Sequence, residues 1–321
     1  MTLSVALCTY EGERFLAEQL ACIAVQSRLP DELVICDDAS TDRSVEIVRE
    51  FARGAPFPVR IEVNERNLGT TRNFERAIGL CTGDIIALAD QDDAWLPNKL
   101  EALEAALKTE GVGFAFSDAA MADERLKPLG YSLWDALRFR PRERERFRRG
   151  QAFEALLRRH RVTGAALAFH AEFRKRILPM PAEWFHDAWI ALIISATARC
   201  ALIEEPLFHY RQHDRQQMGG RKRGLGEQYR AARTMTRQTC EAVATRFTEA
   251  LERLREVPDM DAARLALLEW KIAHHQKRAA MRNPGAWRWP IVFGELWRGN
   301  YRRFSLGWHA VAQDLLLPSR E

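Results

Sequence analysis

The chain has no G-x-G-x-x-G after its first apolar segment and no G-x-x-x-x-G-K-[ST] anywhere, so neither a dinucleotide fingerprint nor a Walker loop is supported. Its six cysteines form no C-x-x-C pair. Several of them lie in apolar runs, which reads as buried thiols in a reducing compartment rather than a disulfide or zinc framework. No apolar stretch approaches the roughly 18 to 20 residues needed to cross a bilayer. Met1-Thr2 leads straight into the first apolar segment, so no secretory signal is expected and the protein is expected in the cytoplasm or peripheral on the inner membrane. The 321 residues, 47% hydrophobic, can bury a large core and leave room for an appendage.

What the chain does have is an acidic cluster at the end of an apolar run: Asp90-Gln91-Asp92-Asp93 after Ile85-Ile86-Ala87-Leu88-Ala89. Five uncharged residues predict a buried strand, with the carboxylates emerging at its C-terminal edge, where open α/β sheets bind ligands. Carboxylates this close repel one another unless a hard cation or a donor-rich ligand neutralises them, and Mg²⁺ or Mn²⁺ bridging to phosphate is a common solution. The plainer reading is a solvated loop in which Asp93 or a neighbour caps the helix beginning near Trp95-Leu96-Pro97.

The preceding residues repeat one pattern. Leu3–Cys8 predicts a strand, Thr9-Tyr10-Glu11-Gly12 a loop, and Phe15, Leu16, Leu20 and Ile23 a helix. Leu33–Cys36 then runs into Asp37-Asp38-Ala39-Ser40-Thr41-Asp42 and a helix over 43–51. A third strand over 59–63 precedes Asn67-Leu68-Gly69 and a helix carrying Phe74, Ala77 and Ile78, while Leu96, Leu100, Leu103 and Leu107 stripe the helix after the acidic cluster. Alternating strands and helices predict a doubly wound, mostly parallel α/β sheet. Such a sheet gathers Thr9, Glu11, Asp37, Asp38, Arg72, Asp90, Asp92 and Asp93 on one rim. Carboxylates for a base, a ribose and a metal, with a basic residue for phosphate, suit a nucleoside diphosphate.

These motifs resemble the inverting glycosyltransferases of family 2, which have the GT-A fold. The resemblance rests on Thr9–Gly12, Asp37–Asp42, Asn67-Leu68-Gly69 with Asn73, and Gly83-Asp84 leading to Asp90-Gln91-Asp92-Asp93-Ala94-Trp95. It continues through Ser117-Asp118, residues 162–169, His186-Asp187-Ala188-Trp189 and Tyr210-Arg211-Gln212-His213, and the wording D-Q-D-D-x-W-L-P-x-K-L is most similar to the bacterial rhamnosyltransferase-like branch. It implies that Asp37 and Asp38 hold the nucleoside, that Thr9 and Glu11 line the same pocket, and that Asp90 lies near the ribose and sugar. It also implies that Asp92 binds Mg²⁺ or Mn²⁺ and that Asp187 is the base that deprotonates the acceptor hydroxyl in a single in-line displacement. Asp187 alone reads equally as a helix N-cap. Arg72 is assigned to the diphosphate only because a fork of donors suits phosphate, and Arg211 is a further diphosphate candidate. His213 either completes the metal shell or sits hydrogen-bonded in a loop ending at Gly219-Gly220.

The implied donor is a dTDP- or UDP-sugar, rhamnose among the candidates, and the implied acceptor a saccharide or lipid-linked saccharide in surface polysaccharide assembly. Two alternatives stay open: a sugar-phosphate nucleotidyltransferase, whose glycine-rich basic loop is missing here, and a non-catalytic nucleotide-sugar-binding assembly protein. The absence of Q-x-x-R-W and of membrane spans argues against processive synthesis.

The domain reading is a catalytic region over 1–219, with a nucleotide-sugar half over about 1–118 and an acceptor half over about 119–219, then a helical region over 220–321. Arginines at 138, 140, 142, 144, 146, 148 and 149 crowd one segment against Glu143 and Glu145, which reads as a basic lip or a solvated insert. Nucleic acid is not expected, because Phe139 and Phe147 are the only rings among these arginines, too few for a stacking surface. Trp287, Trp289, Trp297, Trp308, Phe293, Tyr301 and Phe304 among Arg288, Arg298, Arg302 and Arg303 predict either docking on the inner leaflet or packing against protein, a homodimer included.

Overall fold

In the computed structural model, residues 1–214, 236–282 and 287–316 are described. The predicted helix over 227–257 and the Gly219-Gly220 loop end therefore lie partly or wholly outside the described residues. The chain divides into two compact units, Met1–Gly150 with Arg161–Arg221, and Gln151–His160 with Lys222–Glu321. The sequence reading gave only a boundary near residue 219. It had no signal that the short segment 151–160 groups with the C-terminal helices.

The sheet unit opens with the expected alternation: β1 (Leu3–Thr9), α1 (Leu16–Ala24), β2 (Glu32–Asp37), α2 (Ser44–Ala52), β3 (Val59–Val63), α3 (Thr70–Leu80) and β4 (Ile85–Asp90). A two-residue β5 (Ala94–Trp95) and α4 (Lys99–Leu107) follow, then β6 (Val112–Ala122), β7 (Pro128–Ser132), α5 (Leu133–Leu137) and α6 (Pro141–Arg148). The helical unit takes α7 (Ala152–Arg158), after which the sheet unit resumes with β8 (Leu167–His170), α8 (Arg174–Ile177), α9 (His186–Ser195) and β9 (Arg199–Arg211).

The strand order is β3-β2-β1-β4-β8-β6-β9-β5, with β7 on β6. β3, β2, β1 and β4 are mutually parallel, as the alternation requires, and their register puts Thr9 beside Asp37 and Cys8 beside Asp90. Every residue of β1 is buried, which explains its near-continuous apolar run, since helices cover both faces of a parallel sheet. Beyond β4 the sheet is mixed. β8 is antiparallel to both β4 and β6, while β6 and β9 pair in parallel. The doubly wound parallel region is thus the first half alone.

The described part of the helical unit holds α7, α10 (Arg237–Arg255), α11 (Ala262–Ala280), α12 (Arg288–Trp297), α13 (Asn300–Phe304) and α14 (Trp308–Leu316). A small core of Met281, Val292, Tyr301, Ala310 and Val311 joins the last three to the end of α11.

Candidate active site

The rim is built where β1, β2 and β4 end. Two non-glycine residues there, Glu11 (φ 50°) and Ala39 (φ 63°), adopt the left-handed conformation, which is costly for a side-chain-bearing residue and persists only where the surroundings over-determine it. The two loops hold each other in place. Ser40 Oγ accepts from Glu11 N at 2.9 Å, and Glu11 Oε1 accepts from Thr41 N at 2.7 Å and Thr41 Oγ1 at 2.9 Å. Asp37 accepts from Thr9 Oγ1 at 2.7 Å, from Ser40 N at 2.8 Å and from Ser40 Oγ at 2.7 Å. Asp38, also buried, accepts from Asn64 Nδ2 at 2.7 Å and from the backbone amides of Leu68 and Gly69 at 2.7 and 2.9 Å. The carboxylates expected at the nucleoside therefore already fix the loops around them.

Gln91 ties the acidic loop to β1. Its amide accepts from Tyr10 N at 2.8 Å and donates to Tyr10 O at 2.9 Å. A Cβ at Gly12 would stand 2.2 Å from Gln91 Oε1, so a larger residue there would displace the Gln91 amide from this bonded position.

Asp90 and Asp93 bear the electrostatic load. Burial, then the charges of Asp92 and Asp187, push the Asp90 carboxyl up to about 7 despite the nearby Lys99 ammonium. Burial, then Asp92 and Asp90, push Asp93 up as well. Asp93 Oδ1 accepts from Arg211 N at 3.3 Å, while its buried Oδ2 has no hydrogen-bond partner among the described residues. The same four carboxylates, with burial first, raise the Tyr210 hydroxyl. Asp90 thus lies within electrostatic reach of Asp92, Asp93 and Asp187.

Asp187 reaches that cluster from the first turn of α9, where Oδ2 accepts from Gly164 N at 3.1 Å. A Cβ at Gly164 would come within 2.4 Å of His186 Nε2, and His186 stacks on Phe74 with centroids 4.0 Å apart. The Thr163-Gly164 and His186-Asp187 motifs are thus one packed unit.

His213 lies at the cluster's other side, its Nε2 2.8 Å from Asp92 Oδ2 and its ring 5.0 Å from that of Phe15. That contact is a hydrogen bond between the two side chains, and a divalent ion held there would replace it and draw its remaining ligands from phosphate and water. Among the described residues no group of three or more His, Cys, Asp or Glu side chains makes a metal site without such help.

The two arginines expected at the diphosphate both have protein partners. Arg211 has its side chain almost wholly buried over the Phe15 ring. Its Nε donates to Asp92 O at 2.7 Å, and its other nitrogens donate to Glu124 O and to the Glu18 carboxylate. It braces the acidic loop through Asp92 O, and each guanidinium nitrogen already has a protein partner. Arg72 bonds Glu75 through Nη1 at 2.9 and 3.0 Å and lines a cleft of about 780 Å³ with Arg66, Asn67 and Arg76.

One residue of the D-Q-D-D-x-W-L-P-x-K-L motif was given no role in the sequence reading. Lys99, fully buried, donates Nζ to Ala165 O at 2.6 Å and lies 3.9 Å and 4.1 Å from the ring centroids of Trp95 and Phe208. Burial lowers it to about 7 against the pull of Asp93 and Asp90. Its signal was available: position 99 falls on the apolar stripe of α4, where a lysine is out of place unless something holds it.

A parallel rim, an acidic β4–β5 loop and a helix-borne carboxylate together define the GT-A fold. Solved structures agree: Staphylococcus aureus TarS, residues 1–349, with UDP-GlcNAc superposes with a TM-score of 0.58 at 14% identity over 86% of this chain and 72% of that one. A mannosyltransferase of Pyrobaculum calidifontis, in complex with GDP-Man and Mn²⁺, gives 0.53 at 18% identity over 98% of this chain and 84% of that one. Residues 4–174, more than half of the chain, match glycosyl transferase family 2, and the chain belongs to that family. It is 36% identical over 100 residues to a dTDP-rhamnosyl transferase of Shigella flexneri, covering 30% of this chain and 34% of that protein. An abequosyltransferase of Salmonella typhimurium is 31% identical over 112 residues, 34% of each chain. The chain spans about a third of the length of such relatives, and 59% of an uncharacterised Mycobacterium tuberculosis protein at 25% identity.

Proposed function

We propose that this protein transfers a sugar from a nucleoside diphosphate to a saccharide or lipid-linked acceptor, with inversion, in bacterial surface polysaccharide assembly. The reading is supported by Asp90, whose carboxyl feels the charges of both Asp92 and Asp187, and by the Gly164 N bond that orients Asp187. Asp37, Asp38, Thr9 and Glu11 shape the nucleoside pocket by holding the β1 and β2 loops, and Asp90 faces the sugar. Asp92 and His213 hold Mg²⁺ or Mn²⁺, which when bound neutralises charge growing on the leaving diphosphate. Asp187, oriented by Gly164 N, takes the acceptor proton as the hydroxyl attacks the anomeric carbon opposite the departing nucleotide. Arg211 holds Asp92 at the correct height, and Arg72 contributes from the first turn of α3. Likeness to a dTDP-rhamnosyl transferase supports a dTDP-sugar, while likeness to an abequosyltransferase and to an enzyme using UDP-Glc keeps other donors in play.

The test is nucleoside diphosphate release from a panel of nucleotide sugars with acceptor saccharide, in Mg²⁺, in Mn²⁺ and in chelator. One preferred donor and loss of release in chelator are expected. Equal release in chelator would overturn the metal-dependent reading.

A further inference from the structure

The helical unit presents a face that the transfer chemistry does not use. Trp289, Phe293 and Trp297 recur every fourth residue along α12, so they share one side of that helix. All three are solvent-exposed, Trp297 at 91%, and the Trp289 and Phe293 rings stack at 5.9 Å. Trp287 and Trp308, at the starts of α12 and α14, are exposed at 78% and 75%. A monomeric soluble surface rarely leaves so many large rings in water.

The charge on this segment is one-sided. Arg298, Arg302 and Arg303 are exposed. The only acids between 287 and 316, Glu295 and Asp314, are 1% and 3% exposed. Glu295 accepts from Lys277 and Asn300 and pairs with His274, while Asp314 accepts from Arg278, Arg282 and Tyr301. The fold withdraws every negative charge of the segment and leaves rings and arginines outside.

We infer that α12 to α14 form a docking face for an anionic bilayer surface, the tryptophans seated at headgroup depth and Arg298, Arg302 and Arg303 against lipid phosphate. Tryptophan and arginine are the side chains suited to that boundary, since each has an apolar body and a polar or charged end. A second copy docked on the same face about a two-fold axis would bring this arginine set against itself. The bilayer complements the charge, and the copy does not.

Flotation of the full chain with vesicles of phosphatidylcholine alone, and of phosphatidylcholine with phosphatidylglycerol, tests the inference. Co-flotation with the anionic vesicles, falling on the order of 100-fold in affinity for R298Q/R302Q/R303Q and at least roughly tenfold for W297S/W308S, is expected. These exposed side chains contribute little to folding, which circular dichroism of each variant checks. Wild-type protein left in the soluble fraction with both vesicle types overturns the inference. So does flotation of both variants like wild type, which puts the contact elsewhere, or a vesicle-independent dimer that W297S/W308S converts to monomer, which makes the occupant a second copy. None of these readouts depends on sugar transfer.

Discussion

The two units each bury a cluster of charged groups, and the clusters are built on opposite plans. In the helical unit both buried carboxylates are paired: Asp314 meets Arg278 at 2.7 and 3.0 Å, Arg282 at 2.7 Å and Tyr301 at 2.8 Å, and Glu295 meets His274, Lys277 and Asn300 between 2.6 and 2.8 Å. Burial works against the Glu295 charge, but the bonds from His274, Lys277 and Asn300 outweigh it and draw the carboxyl down to about 2. In the sheet unit Asp90, Asp92, Asp93 and Asp187 repel one another around one buried lysine, and two of the carboxyls are pushed up instead of down. A network that is satisfied locks helices together. One that is left short of positive charge is suited to receive it from a cation or a substrate proton.

The comparison breaks first at the proposed base. Asp187→Asn should cut turnover by about 10²- to 10⁴-fold while leaving donor binding within a few-fold, because the amide keeps the shape and loses the proton acceptor. Initial rates beside donor titrations measure both. A variant that retains more than a tenth of wild-type turnover removes Asp187 from the mechanism.

Next comes the satisfied cluster. Asp314→Ala strands Arg278, whose side chain is 1% exposed, and Arg282 at 6%, so the helical unit should lose about 3 to 5 kcal/mol. By contrast, Asp90→Asn should leave the metal-free sheet unit as stable as before or more so at pH 8, by on the order of 1 kcal/mol, since it removes a charge the site disfavours. Hydrogen exchange followed in α11 and in β4 separates the two units. Equal destabilisation by both substitutions would erase the distinction drawn between the clusters.

Much of this contrast was legible in the sequence, and the reasons are local. The rim was visible because strand and helix periods are short-range, so Asp37, Asp38 and Asp90 could be put at strand ends without knowing any tertiary contact. Asp187 was singled out only through the wording of its motif, since a carboxylate in a first helical turn is also an ordinary cap. The bracing role of Arg211 could not be read, because it depends on Glu18 and Glu124, which are distant in the chain and carry no motif. Nor could the mixed half of the sheet, since β8 inserts between β4 and β6 out of chain order. The partners of Glu295 and Asp314 were hidden for the same reason, and they decide that no acid of α12 to α14 is exposed.

The smallest effects lie in the pH response, where the signs of the two clusters differ. Asp90 has its folded value near 7, above the usual carboxylate range, so between about pH 4 and 7 the folded protein keeps a proton that the unfolded chain has lost. Its contribution therefore falls as pH rises through that window. Glu295, near 2 when folded, contributes fully above the ordinary value of 4.5 and loses that contribution as pH falls toward 2. Metal-free protein titrated from pH 8 to pH 3 should accordingly tighten in β4 and loosen in α11, as exchange rates at each pH report. Repeating the titration with Mn²⁺ should flatten the response of β4 at the neutral end, because a cation on Asp92 and His213 offsets the repulsion that Asp90 feels, and α11 should not respond to the metal. If Mn²⁺ left β4 unchanged or protected both regions alike, the acidic cluster would not be the place where the ion binds.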